Sequence, residues 1–212
     1  ANTSALAFLP ARRQLHWANL FIQHERRLSD NWVLTAGTKV ESNVYSGVEY
    51  LPSVKLAWKV SSGQLLWASL SRSVRAPSRI DTDIYIPGKA PYLLAGGPDF
   101  QSEIGNGLEL GWRGQRGNDF SWSLVLAHTG YRHLRSVDLQ SNGVYLLSNH
   151  ISGREDALEA ASRYQLNPDL ALDASLLLLH GRFFADQTNL NLSRPGNDPR
   201  AQLRMGAMWN FA

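Results

Sequence analysis

The chain has 212 residues, of which 43% are hydrophobic and 18% charged, with a net charge of +3 and no cysteine. That length suits one β domain; the missing cysteines exclude disulfides and thiolate metal sites, and the scattered lysines and arginines, with no stripe among them, exclude a nucleic-acid footprint. Mean hydropathy is only −0.27, and the longest aliphatic run is Leu176 to Leu179, far too short for a membrane-spanning helix.

The opening residues lack a charged n-region followed by an apolar stretch, so no signal peptide is read there and an exported chain would be a mature or internal piece. From there the sequence predicts nine strands, at 14–28, 32–42, 51–60, 65–75, 102–113, 120–134, 154–166, 170–184 and 200–211. Most exceed the roughly nine to eleven residues that a tilted strand needs to cross a bilayer. Arg154 to Leu166 is rich in Glu, Ala and Leu and would pass as a helix by propensity. Its neighbours and the Asn167-Pro168-Asp169 turn favour a strand.

The connections alternate in length. Short ones centre on Ser29-Asp30-Asn31, Ser61 to Gln64, Gly114 to Asp119 and Asn167 to Asp169. Between them lie longer ones, Asn43 to Tyr50, Ala76 to Gln101, Arg135 to Gly153 and Ala185 to Pro199. A meander that is tight at one end and loopy at the other is the pattern of an outer-membrane β-barrel. The expected fold is therefore all-β: an antiparallel up-and-down meander forming a partial transmembrane β-barrel.

Alternation separates two faces. The apolar face takes Trp32, Leu34 and Ala36; Val54, Leu56 and Trp58; Leu108, Leu110 and Trp112; Trp122, Leu124 and Leu126; Leu172, Leu176 and Leu178; and Leu203, Met205 and Trp209. The polar face takes Lys39, Lys55, Lys59, Glu109, Arg113, Glu159, Arg163, Asp173 and Arg204. Charges of both signs there suit a water-filled lumen and need no catalysis. The segments at 14–28 and 65–75 do not declare a face. The seven Trp and seven Tyr fall mostly near strand ends, where interfacial girdles belong. Nine is an odd number, whereas bacterial single-chain barrels use an even one, so the reading is of a barrel segment occupying the whole of 1–212, with no plug domain.

Several short strings resemble the barrel of TonB-dependent outer-membrane receptors. They are Tyr50-Leu-Pro-Ser-Val-Lys-Leu-Ala-Trp58, Leu66 to Ser78, Phe100-Gln-Ser-Glu103 with Leu108 to Trp112, Tyr131 to Ser136, Leu20 to Glu25 and Asn197 to Leu203. In order and spacing they run from about Arg13 to Phe211. In that family an Arg-x-Pro-Ser string opens a long extracellular loop, and Arg75-Ala-Pro-Ser78 here opens the longest one. The family's plug, its TonB-interacting box and about half of its roughly twenty-two strands have no counterpart in this sequence. The segment therefore reads as the C-terminal half of such a barrel.

The resemblance implies residence in the bacterial outer membrane and uptake of a scarce ligand: a ferric siderophore, cobalamin or a similar chelate. The partners implied are membrane lipid, the ligand, and in the intact parent a plug and TonB. The loop at 76–101 mixes charges and aromatics, which suits a chelate or sugar. Arg79, Asp81, Asp83, Tyr85 and Tyr92, with Tyr145 in the next loop, are the candidate ligand contacts. No cofactor and no metal site are expected, because the six histidines show no i,i+2 or i,i+4 carboxylate pairing. No G-x-S-x-G elbow, phosphate loop or convergent acid–base pair is present, so no enzyme is expected. The other readings are a different outer-membrane barrel, such as a porin or adhesin, or a soluble carbohydrate-binding β-sandwich.

The face assignment makes a direct prediction. Leu176→Arg should impair membrane insertion of the full-length protein by roughly 2–4 kcal/mol if the site is mid-bilayer, whereas Asp173→Asn should leave it nearly unchanged. Folding titrations into lipid vesicles measure both; the reverse pattern means that the register is wrong.

Overall fold

The computed structural model describes residues 3–185 and 195–211. Its elements in chain order are β1 (Ala7–Phe8), β2 (Trp17–Arg27), β3 (Trp32–Asn43), β4 (Gly47–Ser61), β5 (Gln64–Arg75), the helical turn α1 (Arg79–Asp83), β6 (Ile84–Ile86), β7 (Leu94–Ala95), β8 (Glu103–Arg116), β9 (Phe120–Leu139), β10 (Tyr145–Asn167), β11 (Leu170–Ala185) and β12 (Ala201–Trp209). All nine predicted strands are present as the long ones. They form one antiparallel meander in the order β2-β3-β4-β5-β8-β9-β10-β11-β12. The short strands β1, β6 and β7 were not legible in the sequence. They form a ribbon that joins β10 through a parallel β7–β10 pairing, Leu94 opposite Tyr145.

Register makes the two faces continuous. Trp58, Leu66, Trp112, Leu124, Ala160, Leu176 and Leu203 are aligned partners across seven strands. Trp32 begins this row on β3, stacked on Trp58 at 5.3 Å. Two residues up, Leu34, Leu56, Ala68, Leu110, Leu126, Leu158 and Leu178 form the next row. These rows settle β5, which the sequence left open: Leu66, Ala68 and Leu70 share the apolar face, and Leu65 and Trp67 lie on the polar one. The segment Arg154 to Leu166 is strand, paired on both sides, so ladder hydrogen bonds override its helical propensity.

Two of the expected long loops are largely strand. β3 and β4 run on to a turn at residues 44–46, and β9 and β10 run on to a turn at 140–144. The β9–β10 extension leaves the lipid-type alternation because it pairs above it, where Ser136, Asp138 and Ser148 are buried. A register shift between Ser148 and Gly153 marks the transition, with His133 opposite at φ 57°. Asn149 clamps it, donating to the carbonyls of His133 and Gln101 at 2.6 and 3.2 Å and accepting from the Gln101 N–H at 2.6 Å. Most of the expected loop from Ala185 to Pro199 lies outside the described residues. Among the described residues, β2 and β12 have no partner on their far sides, so the sheet is open at both edges.

Candidate ligand-facing site

The loop end of the sheet carries a small core of its own. Ile84, Phe100, Val137 and Leu147 are buried together, with Leu6, Phe8, Ile86, Leu94 and Tyr145 packed around them. Segment 76–102 thus folds as a cap on the upper β9–β10 hairpin. Its return stretch lies close to β10: a β-carbon on Gly97 would sit 2.0 Å from the Leu147 carbonyl oxygen, an approach only glycine allows.

An ionic cluster ties the cap to the sheet. Arg75, the last residue of β5, grips Glu103 at the start of β8 through Nε and Nη2, at 2.7 and 2.9 Å. Its Nη1 reaches Asp81 of α1 at 3.0 Å. Asp81 is fully buried and also accepts from the Ser78 N–H and hydroxyl, each at 2.8 Å. A carboxylate on this first helical turn satisfies an otherwise free N–H. Arg135 adds a further guanidinium 3.5 Å from Asp81, and its backbone N–H donates to Glu103 at 2.8 Å. Burial pushes the Asp81 carboxyl up, but hydrogen bonds from Arg75 and Ser78 outweigh it and hold the group below its ordinary value of 3.8. Hydrogen bonding to Glu103 raises the Arg75 guanidinium against the opposing effect of burial, with Asp81 adding to the rise.

Asp83 plays the same part on the other side of α1. Arg13 and Arg79 contact its two oxygens at 2.8 and 3.0 Å. Arg79 also lies over the Phe8 ring and donates to the Pro10 carbonyl. Arg13 stacks over Tyr45 in the β3–β4 turn at 4.6 Å, so the N-terminal segment, the cap and that turn are joined.

The six residues singled out from the sequence therefore fall into two groups. Asp81 and Asp83 are buried in ion pairs within the cap. Tyr85 and Tyr92 pack on each other, centroids 4.8 Å apart, and both remain partly exposed. Arg79 is partly exposed beside Asp83, and Tyr145 rests half-buried against the cap core. Two histidine–carboxylate pairs escaped the sequence reading, His150 with Asp138 at 2.5 Å and His128 with Asp156 at 2.6 Å. Each joins adjacent strands, so no local spacing announces it.

Below the cap, the polar face is a wall of mixed charge with aromatic footholds. Tyr131 and Phe183 stack at 6.1 Å across β10. They meet because Gly153 stands between them, where a β-carbon would come within 2.3 Å of Phe183. Trp67 lies over Gly111 and under the Lys55 ammonium, 4.6 Å from its ring centroid. At the short-turn end a concavity of about 720 Å³ is lined by Lys59, Gln64, Arg113, Gln115 and Arg163.

An apolar outer face, a charged inner face and a cap at the long-loop end define a wall of a membrane barrel. The family model "TonB dependent receptor-like, beta-barrel" matches residues 3–211, and the chain belongs to that family. This is a family of transport receptors rather than of enzymes. No curated protein matches the chain. Among solved structures, it is similar to the siderophore receptor PirA from Acinetobacter baumannii, with a TM-score of 0.76 and 14% identity over 93% of this chain and 32% of that one. PirA from Pseudomonas aeruginosa gives 0.70 and 18% identity over 84% and 33%. A variant of the ferric enterobactin receptor PfeA from Pseudomonas aeruginosa, in complex with enterobactin, gives 0.72 and 19% identity over 92% and 30%. The chain thus spans about a third of the length of these structures.

The anchor generates a prediction with a pH sign. Asp81→Asn removes the charge that neutralises Arg75 and Arg135 and should cost roughly 1–3 kcal/mol of local stability. Hydrogen exchange should report it as faster exchange at 79–84 and 94–97, with the membrane strands unaffected. Because the folded Asp81 value is lowered, its contribution is complete above the unfolded value of 3.8 and is lost as pH falls through the folded one. Limited proteolysis of the cap in acid against neutral pH measures that loss; equal resistance to cleavage in acid contradicts it.

Proposed function

We propose that this chain is one barrel segment, 1–212, of an outer-membrane receptor that takes up a scarce chelated ligand, and that it supplies wall and extracellular loops. The observation that carries the reading is the ion-pair-anchored cap set over one end of a charged wall. A loop held by buried Arg–Asp contacts presents its surface side chains in a fixed arrangement, which lowers the ordering cost of binding. Family membership and fold support the same direction. In the intact parent, a plug within the barrel and TonB on the periplasmic side would drive transport, and the membrane lipid would surround the wall. The ligand class is a ferric siderophore or a similar metal chelate.

Within this reading the six loop residues divide their tasks. Tyr85, Tyr92 and Arg79 meet the ligand. Tyr145 supports them from the cap core, and Asp81 and Asp83 hold the loop in shape. The lumenal Tyr131–Phe183 pair offers an aromatic surface further along the entry path.

Radioiron-labelled ferric enterobactin and labelled cobalamin, applied to the full-length receptor in its native membrane, test the proposal. One of the two probes should bind. The paired substitution Tyr85→Ala with Tyr92→Ala should weaken that binding by about tenfold or more, as loss of aromatic anchors does, with the amount of inserted receptor unchanged. Binding of neither probe, or equal binding by the variant, overturns the assignment.

A further inference from the structure

The apolar face of β9, β10 and β11 ends in a cationic band. His128, Asp156 and His180 form one aligned row directly above Leu126, Leu158 and Leu178. The next row holds Gly130, Arg154 and Arg182, and Arg132 follows on β9. Alternation places all of these on the apolar side, and the three arginines and two histidines are exposed. None of the three guanidiniums forms an ion pair among the described residues, whereas the row's carboxylate, Asp156, is held by His128 at 2.6 Å. Arg182 Nε lies 3.2 Å from His180 Nε2, so these side chains share one patch.

The height of this patch identifies what it meets. At the short-turn end, Phe120 and Tyr164 make an aromatic contact at 6.2 Å in one row with Leu172. From that row, Phe120 to Gly130, Tyr164 to Arg154 and Leu172 to Arg182 each run ten residues. At about 3.3 Å per residue and a tilt of about 40°, ten residues rise about 25 Å, the height of a barrel's apolar band. The arginines therefore stand at the opposite interface from the aromatic girdle, on the cap side, where lipid headgroups lie. Guanidinium is the side chain best suited to phosphate oxygens, because it offers paired donors and is weakly hydrated.

We propose that Arg132, Arg154 and Arg182, with His128 and His180, form a binding site for phosphate-bearing lipid headgroups on the outer surface of the wall. It rests on the outer-membrane barrel reading above. Three guanidiniums against the single carboxylate of Asp156 leave the patch with a net positive charge that attracts anionic lipid, and the leucine rows beneath receive its acyl chains. The site would hold a ring of anionic lipid against the β9–β11 face, directly under the cap.

The test uses the full-length receptor in nanodiscs of phosphatidylcholine doped with phosphatidylglycerol, with retained lipid counted by native mass spectrometry. Heat-modifiable migration on gels first establishes that the barrel is inserted; a chain that never inserts overturns the barrel reading itself and this site with it. The inserted wild type should retain phosphatidylglycerol over phosphatidylcholine by about tenfold, given the attraction of clustered arginines to an anionic surface. The variant Arg132→Gln, Arg154→Gln, Arg182→Gln should lose that preference. The variant Lys59→Gln, Arg113→Gln, Arg163→Gln removes equal charge from the lumenal face and should keep it. An inserted wild type without preference, or an outward variant that retains it, overturns the site. Competition by millimolar inorganic phosphate that removes the preference also overturns it, because the site would then be one for a soluble anion.

Discussion

In hydrocarbon no water can satisfy a free N–H or C=O, so every backbone polar group in the spanning region has to find a partner in a neighbouring strand. The unbroken ladders from β2 to β12 meet that demand, and the other features follow from their register. Once Trp58 is opposite Leu66 and Leu66 opposite Trp112, parity decides the face of every other residue. A slip of one residue would carry Lys55, Glu109 and Arg163 into lipid together, at a cost of several kcal/mol. Such a slip is excluded by the side chains as much as by the backbone. Where a strand has no partner on one side, as at β2 and β12, the same demand leaves a pairing surface open.

Above the membrane the constraint changes. Water is present, so strands no longer need to be continuous, and stability comes from a small hydrophobic core and buried ion pairs. The bulge at residues 148–153 sits at that change. Arg75 is the hinge of the arrangement: it ends a membrane strand, binds the start of the next one through Glu103 and holds the helical turn of the cap through Asp81. A buried carboxylate with two guanidiniums in reach is costly to disturb on one side alone. This explains how a connection of some two dozen residues acquires a definite shape with only five residues of helix and five of strand, α1, β6 and β7.

The two faces of the wall also differ in how they handle charge. On the lumenal face, lysines and arginines share space with Glu109, Glu159 and Asp173, and Lys55 rests on Trp67. On the outer face of β9, β10 and β11, the leucine rows carry no charge, and charged side chains return only above them. Arginine on a lipid-facing strand is tolerated at that height because its cost falls steeply away from the bilayer midplane. The position of Arg132, Arg154 and Arg182 thus follows from the same depth dependence that keeps the rows below them apolar.

The nine long strands, their short turns, the family and the two faces outside the segments at 14–28 and 65–75 were legible in the sequence, because period-two alternation and turn residues are local and lipid demands that they be kept. Arg75-Ala-Pro-Ser78 was likewise legible as the start of the long loop. The tertiary structure alone decided what that loop does. It buries Asp81 and Asp83, which composition had marked as ligand contacts, and leaves Tyr85 and Tyr92 partly exposed, because Arg13 and Arg135, far away in the chain, join the nearby Arg75 and Arg79 around the two carboxylates. The extension of β9 and β10 into the cap, the His128–Asp156 and His150–Asp138 pairs and the arginine band arise in the same way. They are set by neighbours across strands, and cross-strand register is not written in the spacing of residues along any one of them.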